Sequence, residues 1–242
     1  MAEIPLRDAA EKVTGRARYT ANITRPGMLF AAILRASIAR VKIRSFDATI
    51  AKKLPGVFDL IGPGDAPTKT RILSNSIAYA GQPVAAVCAS SEAAAVRAIH
   101  AIVVEYDADP FAVTFESATA PNAPKVRSSG NLYPNAPFIV TRGDITAGLA
   151  AADIVIERVY RTPVALHTAL EPHGAAAEWE GDRLTVWEST QGIFRVRADV
   201  ARALDLPLSN VRGLQESMGG GVGQKNGPGP TVMMRADMDG LP

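Results

Sequence analysis

The sequence predicts an α+β chain built in two parts, and three observations predict it. Short apolar runs alternate with helical stretches across the first third, as in "QPVAAVCASSEAAAVRAIHAIVVEY" (82–106). A stretch rich in Pro, Asn, Ser and Ala, from Ala108 to Pro137, interrupts that alternation and reads as a linker. A hairpin, a helix and a strand then follow and deliver the chain to a glycine run, "ESMGGGVGQKNGPGP" (216–230).

In the first part, "GMLFAAILRAS" (27–37) is a buried-strand run that opens after Pro26-Gly27. Strand, short helix from Asp47, stop at Pro55-Gly56 and strand follow, with Asp47 suited to the N-cap and Lys52-Lys53 to the last turn. Val84–Cys88 is an apolar strand. Ser90 or Ser91 caps an alanine-rich helix running to about His100, and Ile102–Tyr106 is again a strand. Helices that cross between strands imply a mixed sheet with helical cover.

The second part opens with a short helix capped by Asp144 and a strand over 153–161. "HGAAAEWEGDRLTVWEST" (173–190) is a β-hairpin turning at Gly181-Asp182. "QGIFRVRADVARALDLP" (191–207) is an amphipathic helix with Ile193, Val196, Val200, Ala203 and Leu204 on or near one face, and Val211–Gln215 is the strand before the glycines.

Composition narrows the functions. A net charge of +2, with no Lys/Arg stripe interleaved with aromatics, argues against nucleic acid as a partner. No apolar run reaches the ~18 residues of a membrane span. The first residues are charged from Glu3 onward and lack a signal peptide's apolar core, so the cytoplasm is the expected compartment. One cysteine, Cys88, gives no disulfide framework and cannot alone hold an iron–sulfur cluster; in its apolar strand it reads as inert core.

Several candidate sites dissolve on inspection. The RGD at 142–144 is explained by Asp144 as a helix cap. His167 and His173 stand six apart around Glu171-Pro172, a poor zinc spacing, and hydrogen bonding is their expected role. Trp179 and Trp187 read as core, and the acidic residues form no convincing acid–base pair. The glycine run matches neither phosphate fingerprint: Lys225 precedes Asn226 rather than Ser or Thr, and Gly221-Val222-Gly223 lacks a third glycine at the required place. Gln191 is different, because it ends a strand and opens a helix, where ligands collect. If its strand neighbours the one before the glycines, Gln191 and residues 219–223 meet at one edge. A capping role is the alternative.

"RDAAEKVTGRARYTANITRPGMLFAAILRAS", "AYAGQPVAAVCASS", "LEPHGAAAEWEGDRLTVWESTQG" and "MGGGVGQK" stand in this order. Together they resemble the molybdenum-binding subunit of the xanthine dehydrogenase/aldehyde oxidase family, which includes aerobic carbon monoxide dehydrogenases. The resemblance covers roughly residues 5–225. It implies an α/β hammerhead domain over 8–115, a linker over 116–137, and the opening part of a mixed α/β molybdopterin-binding domain over 138–226. It implies a molybdopterin-type molybdenum cofactor, approached by the backbone at Gly220, Gly221, Val222 and Gly223 and by the amide of Gln191. Val222 stands where the family usually has Phe, and Asn226 where the xanthine-oxidising branch has a glutamate, so purine oxidation is not expected.

The family's reaction is hydroxylation of an aldehyde, N-heterocycle or carbon monoxide type substrate with water as oxygen source, assisted by a glutamate far downstream. Partner subunits are expected to carry the iron–sulfur clusters and FAD. The chain thus reads as an N-terminal fragment, expected not to turn over alone. A non-enzymatic folded module that associates with partner subunits is the rival reading. The tail, 227–242, ends in "GPTVMMRADMDGLP", whose last dozen residues resemble an amidohydrolase-type zinc peptidase. A hybrid or truncated reading frame accounts for that change; a Gly/Pro tail with coincidental similarity is the alternative, and no site is carried over from Asp237 or Asp239.

Overall fold

The computed structural model describes residues 8–65, 73–126, 128–132, 140–162 and 169–220. Gly221, Val222, Gly223, His167 and the whole tail therefore lie outside the described residues. The chain divides into two compact units, one drawn from Met1–Pro110 with Thr168–Pro242 and one from Phe111–His167.

In the larger unit, α1 (Ala9–Val13) leads to a 3-10 turn (Thr20–Asn22), then β1 (Phe30–Arg35), β2 (Val41–Asp47), α2 (Thr49–Lys53) and β3 (Val57–Ile61). Next come β4 (Ser76–Ile77), β5 (Pro83–Ala89), α3 (Glu92–His100) and β6 (Val103–Ala108). These strands form two three-stranded sheets, ordered β1-β5-β3 and β4-β2-β6, with every pairing antiparallel. Asp47 Oδ1 accepts the Thr49 N–H at 2.8 Å, and Ser91, rather than Ser90, caps α3 by accepting from Ala94. Ala94, Ala95 and Ala98 are buried, and their short side chains let α3 lie close on Ala85, Val87 and Ala89 of β5. Val41, Ile77 and Val84 form a second core cluster shared by the two sheets. The two-residue β4 was too short to show a period.

The smaller unit holds α4 (Phe115–Thr119), inside the expected linker, and α5 (Ile145–Ala150), whose N-cap Asp144 accepts from Ala147 at 3.0 Å. The strand expected over 153–161 does not form. Ile154, Val155, Ile156, Val159 and Tyr160 are exposed and lie in irregular chain. Apolar β-branched residues favour a strand, but a ladder needs a partner edge, and no described strand pairs with this segment.

The larger unit closes with β7 (Ala175–Glu180), β8 (Arg183–Glu188), α6 (Ile193–Ala203), a second 3-10 turn (Leu208–Asn210) and β9 (Val211–Leu214). The sheet order is β7-β8-β9. β7 and β8 are the expected hairpin, while β8 and β9 run parallel, Leu184 opposite Val211 and Trp187 opposite Leu214. One face of this sheet carries Ala176, Trp187 and Leu214 and is covered by Ile23 and Met28 from the N-terminal segment. Arg25 lies 4.4 Å over the Trp187 ring and pairs with Glu178 at 2.9 Å, a cation held between aromatic face and carboxylate. Trp187 is core, 6% exposed; Trp179, at 52%, is not. Trp179 sits opposite Leu184, on the other face of the β7–β8 ladder from Trp187.

Helix α6 covers that other face. Arg197 fixes it to β9 by donating to the Val211 carbonyl, 2.6 Å, and the Leu208 carbonyl, 2.6 Å. Its first turn drops onto Gly213, where an added Cβ would stand 2.8 Å from Ile193 Cγ2. Gly213→Ala should therefore cost about 1–3 kcal/mol by overpacking. Ile193→Ala should absorb most of that cost, so that in urea denaturation the double variant is about as stable as Ile193→Ala alone. Additive losses would show that the first turn of α6 does not need the missing side chain.

Candidate functional site

The parallel ladder decides where the site residues stand. Parallel neighbours end on the same side of a sheet, so β8 and β9 deliver their next residues to one edge. From β8 come Glu188, Ser189, Thr190 and the exposed Gln191; from β9 come Ser217, Gly219 and Gly220. The expected meeting of Gln191 with residues 219–223 was conditional on those strands being neighbours; the strands are neighbours, and residues 221–223 lie outside the described residues.

The polar run at the end of β8 is buried, and most of it is satisfied. The Ser189 Oγ accepts the Gly174 N–H at 3.1 Å, and the Thr190 Oγ1 accepts the Gly192 N–H at 3.1 Å. That second bond tightens the turn that swings Gln191 outward before α6 begins at Ile193. Glu188 is the exception. It is 1% exposed, and neither carboxyl oxygen has a hydrogen-bond partner. An added Cβ at Gly213 would lie 3.5 Å from its Oε1, which places the carboxyl on the α6 side of the sheet. Burial pushes this carboxyl from an ordinary 4.5 up to about 8. The buried Nδ1 of His173 also has no partner. His173 follows Pro172 and stands two residues before Ala175, the cross-strand neighbour of Glu188.

The glycines are explained by the chain itself at two positions. A Cβ on Gly219 would stand 2.5 Å from Glu171 Cβ, and one on Gly220, at φ +144°, would stand 2.5 Å from Ala169 Cβ. Glu171, 7% exposed, accepts the Gly219 N–H at 2.6 Å and the Thr20 N–H at 3.2 Å. Sequence reasoning passed over both Glu171 and Glu188. The one available signal was their position, Glu171 before a Pro-His that enters the hairpin and Glu188 at the end of a strand.

A molybdopterin-type cofactor would ask this edge for amide donors and for backbone thin enough to come close. The exposed carboxamide of Gln191 fits the demand for a donor, whereas at Gly219 and Gly220 the 169–171 segment already fills the place of the missing side chains and Glu171 already takes the Gly219 N–H.

The Glu188 carboxyl gives a pH dependence with a definite sign. An unfolded chain loses this proton near 4.5 and the folded chain near 8, so between these values the unfolded state binds fewer protons. Stability must then fall as pH rises through that window, by up to about 1.4 kcal/mol per pH unit. Glu188→Gln, a mimic of the protonated acid, should flatten the decline and be more stable than wild type at pH 8. Urea titrations at intervals from pH 5 to 8.5 measure both; parallel profiles for the two proteins would refute the assignment.

Two family descriptions match the chain: "Aldehyde oxidase and xanthine dehydrogenase, a/b hammerhead domain" over residues 14–110, and "Molybdopterin cofactor-binding domain" over residues 130–236. The xanthine dehydrogenase molybdenum-binding subunit of Escherichia coli O157:H7 is 33% identical over 239 residues, covering 90% of this chain and 32% of that protein. The nicotinate dehydrogenase large molybdopterin subunit of Eubacterium barkeri is 30% identical, covering 90% of this chain and 53% of that one. Among solved structures, quinoline 2-oxidoreductase from Pseudomonas putida 86 superposes with a TM-score of 0.78 at 27% identity, covering 89% of this chain and 30% of that one. The chain thus spans from about a third to about half of the length of these relatives. With both domain descriptions matched in order, and with relatives that are molybdenum-hydroxylase subunits, the chain belongs to the aldehyde oxidase and xanthine dehydrogenase family of molybdenum-binding subunits.

Proposed function

We propose that this chain supplies one wall of a molybdopterin-type molybdenum site in a hydroxylase that oxidises an aldehyde, N-heterocycle or carbon monoxide type substrate, with water as oxygen source. The observation that supports the reading is the parallel pairing of β8 with β9, the strands that precede Gln191 and Gly219–Gly220 in the chain. Gln191 would donate from its carboxamide to the cofactor, and the backbone from Gly220 through Gly221, Val222 and Gly223 would lie against it. The bound group supplies the redox and Lewis-acid chemistry. The chain's own part is to bind, orient and exclude water on its side of the site. Iron–sulfur and FAD subunits are the proposed partners, since molybdenum-binding subunits among the relatives are named as parts of larger enzymes.

One wall binds weakly. A few hydrogen bonds at ~1 kcal/mol net each are set against at least ~4 kcal/mol of lost freedom on association. The isolated chain, made in a host that produces the cofactor, should carry near-zero molybdenum by elemental analysis after gel filtration. About one molybdenum per chain would overturn the one-wall reading. Titration with molybdopterin should shift the NMR signals of the Gln191 side chain and the Gly220 amide, and Gln191→Ala should weaken the Gly220 shift. Shifts confined to other regions would refute the proposed edge.

A further inference from the structure

We infer that Glu171 is a positioning residue that clamps the start of the glycine run to the N-terminal turn. The inference deepens the cofactor reading and rests on it for the use of the loop; the clamp itself stands on geometry. Its two carboxylate oxygens accept two different backbone donors, Oε1 from Thr20 and Oε2 from Gly219. These donors lie 151 and 48 residues away along the chain. Neither has a ladder or helix partner to fall back on. Thr20 is the first residue of a 3-10 turn, where N–H groups have no partner within the turn, and Gly219 lies outside every strand and helix.

Shape and chemistry agree on a carboxylate at this position. Gly219 and Gly220 have no room for side chains because the 169–171 segment lies against them. The N-terminal turn is itself held, by Tyr19 donating to Asn22 Oδ1 at 3.0 Å and by Ile23 in the cluster with Ala176 and Trp187. A carboxylate offers two acceptors to two converging N–H groups. A carboxamide offers one acceptor and sets its NH2 against the other donor. Glu171 thereby references the loop to the N-terminal segment, and a loop ordered in advance loses less freedom when a ligand arrives.

Residue-resolved hydrogen exchange on the full chain tests the clamp. In the wild type, the Gly219 amide should exchange as slowly as amides of β8, although it lies in no strand. Exchange at the rate of an open loop overturns the inference with no variant needed. In the isosteric Glu171→Gln, exchange at Gly219 or Thr20 should accelerate about tenfold or more, the loss of one charge-assisted bond. The Val186 and Trp187 amides should change less than about twofold, within the tenths of a kcal/mol expected away from the altered contact. Acceleration shared equally by β8 makes Glu171 a general stability residue and refutes positioning; no acceleration at either donor refutes it too. Selective acceleration upholds the clamp whether or not molybdopterin binds, so failure of the cofactor reading shows separately, as absent molybdopterin shifts in the wild type.

Discussion

The parallel pairing of β8 with β9 is the constraint on which the rest of this region depends. A parallel pair cannot be closed by a tight turn, so the chain must leave β8, cross over the sheet and return. Helix α6 is that crossover, and the sequence around it is fitted to the task. Gly213 gives the first turn its seat, Arg197 fixes the helix to the start of β9, and Asp199, buried, is held by Arg202 at 2.9 Å. The result is an edge where two strand ends stand side by side with a helix starting between them. In open α/β sheets ligands collect outside the carboxyl ends of the strands. Gln191 and Gly219–Gly220 follow those two strand ends in the chain, and connectivity sets this before any chemistry is considered.

The interior just behind the edge departs from the usual economy of a core. Strand ends are commonly capped by exposed polar residues, yet Glu188, Ser189 and Thr190 are all buried. Ser189 and Thr190 offset their burial by bonding to Gly174 and Gly192, which shape the turn. Glu188 offsets nothing in the protein, and an unpaired buried carboxyl costs at least ~1–3 kcal/mol against a matched apolar residue. Chains violate local rules mainly where something other than stability is at stake, and this violation lies three residues from Gln191.

Much of the architecture was legible because it rests on local chemistry. Asp144 and Ser91 cap their helices through their own side chains, and Gly181-Asp182 turns the hairpin, so short stretches of sequence suffice. The meeting of Gln191 with the glycine run could be stated only conditionally, since sequence does not say which strands are neighbours. Beyond their position next to the hairpin, nothing in the sequence marked Glu171 and Glu188. One is defined by donors 151 and 48 residues away, the other by burial, and neither leaves a periodic trace. Residues 153–161 failed in the opposite direction: their apolar pattern is real, but a strand needs an edge that local sequence cannot supply.

The N-terminal segment changes what counts as the site's support. Thr20, Ile23, Arg25 and Met28 fall within the stretch matched to the hammerhead domain, 14–110, yet all four engage residues matched to the molybdopterin-binding domain, 130–236. Ile23 and Met28 cover the Trp187 face of the β7–β9 sheet, Arg25 pins Trp187 and Glu178, and Thr20 shares Glu171 with Gly219. Without that segment one face of the sheet would lie bare, and the Glu171 oxygen that serves Thr20 would have to find another donor. Residues matched to the two domain descriptions thus pack together within one compact unit. The shape of the glycine run's first residues is set jointly by a strand immediately before them and by a turn near the start of the chain, joined through a single carboxylate.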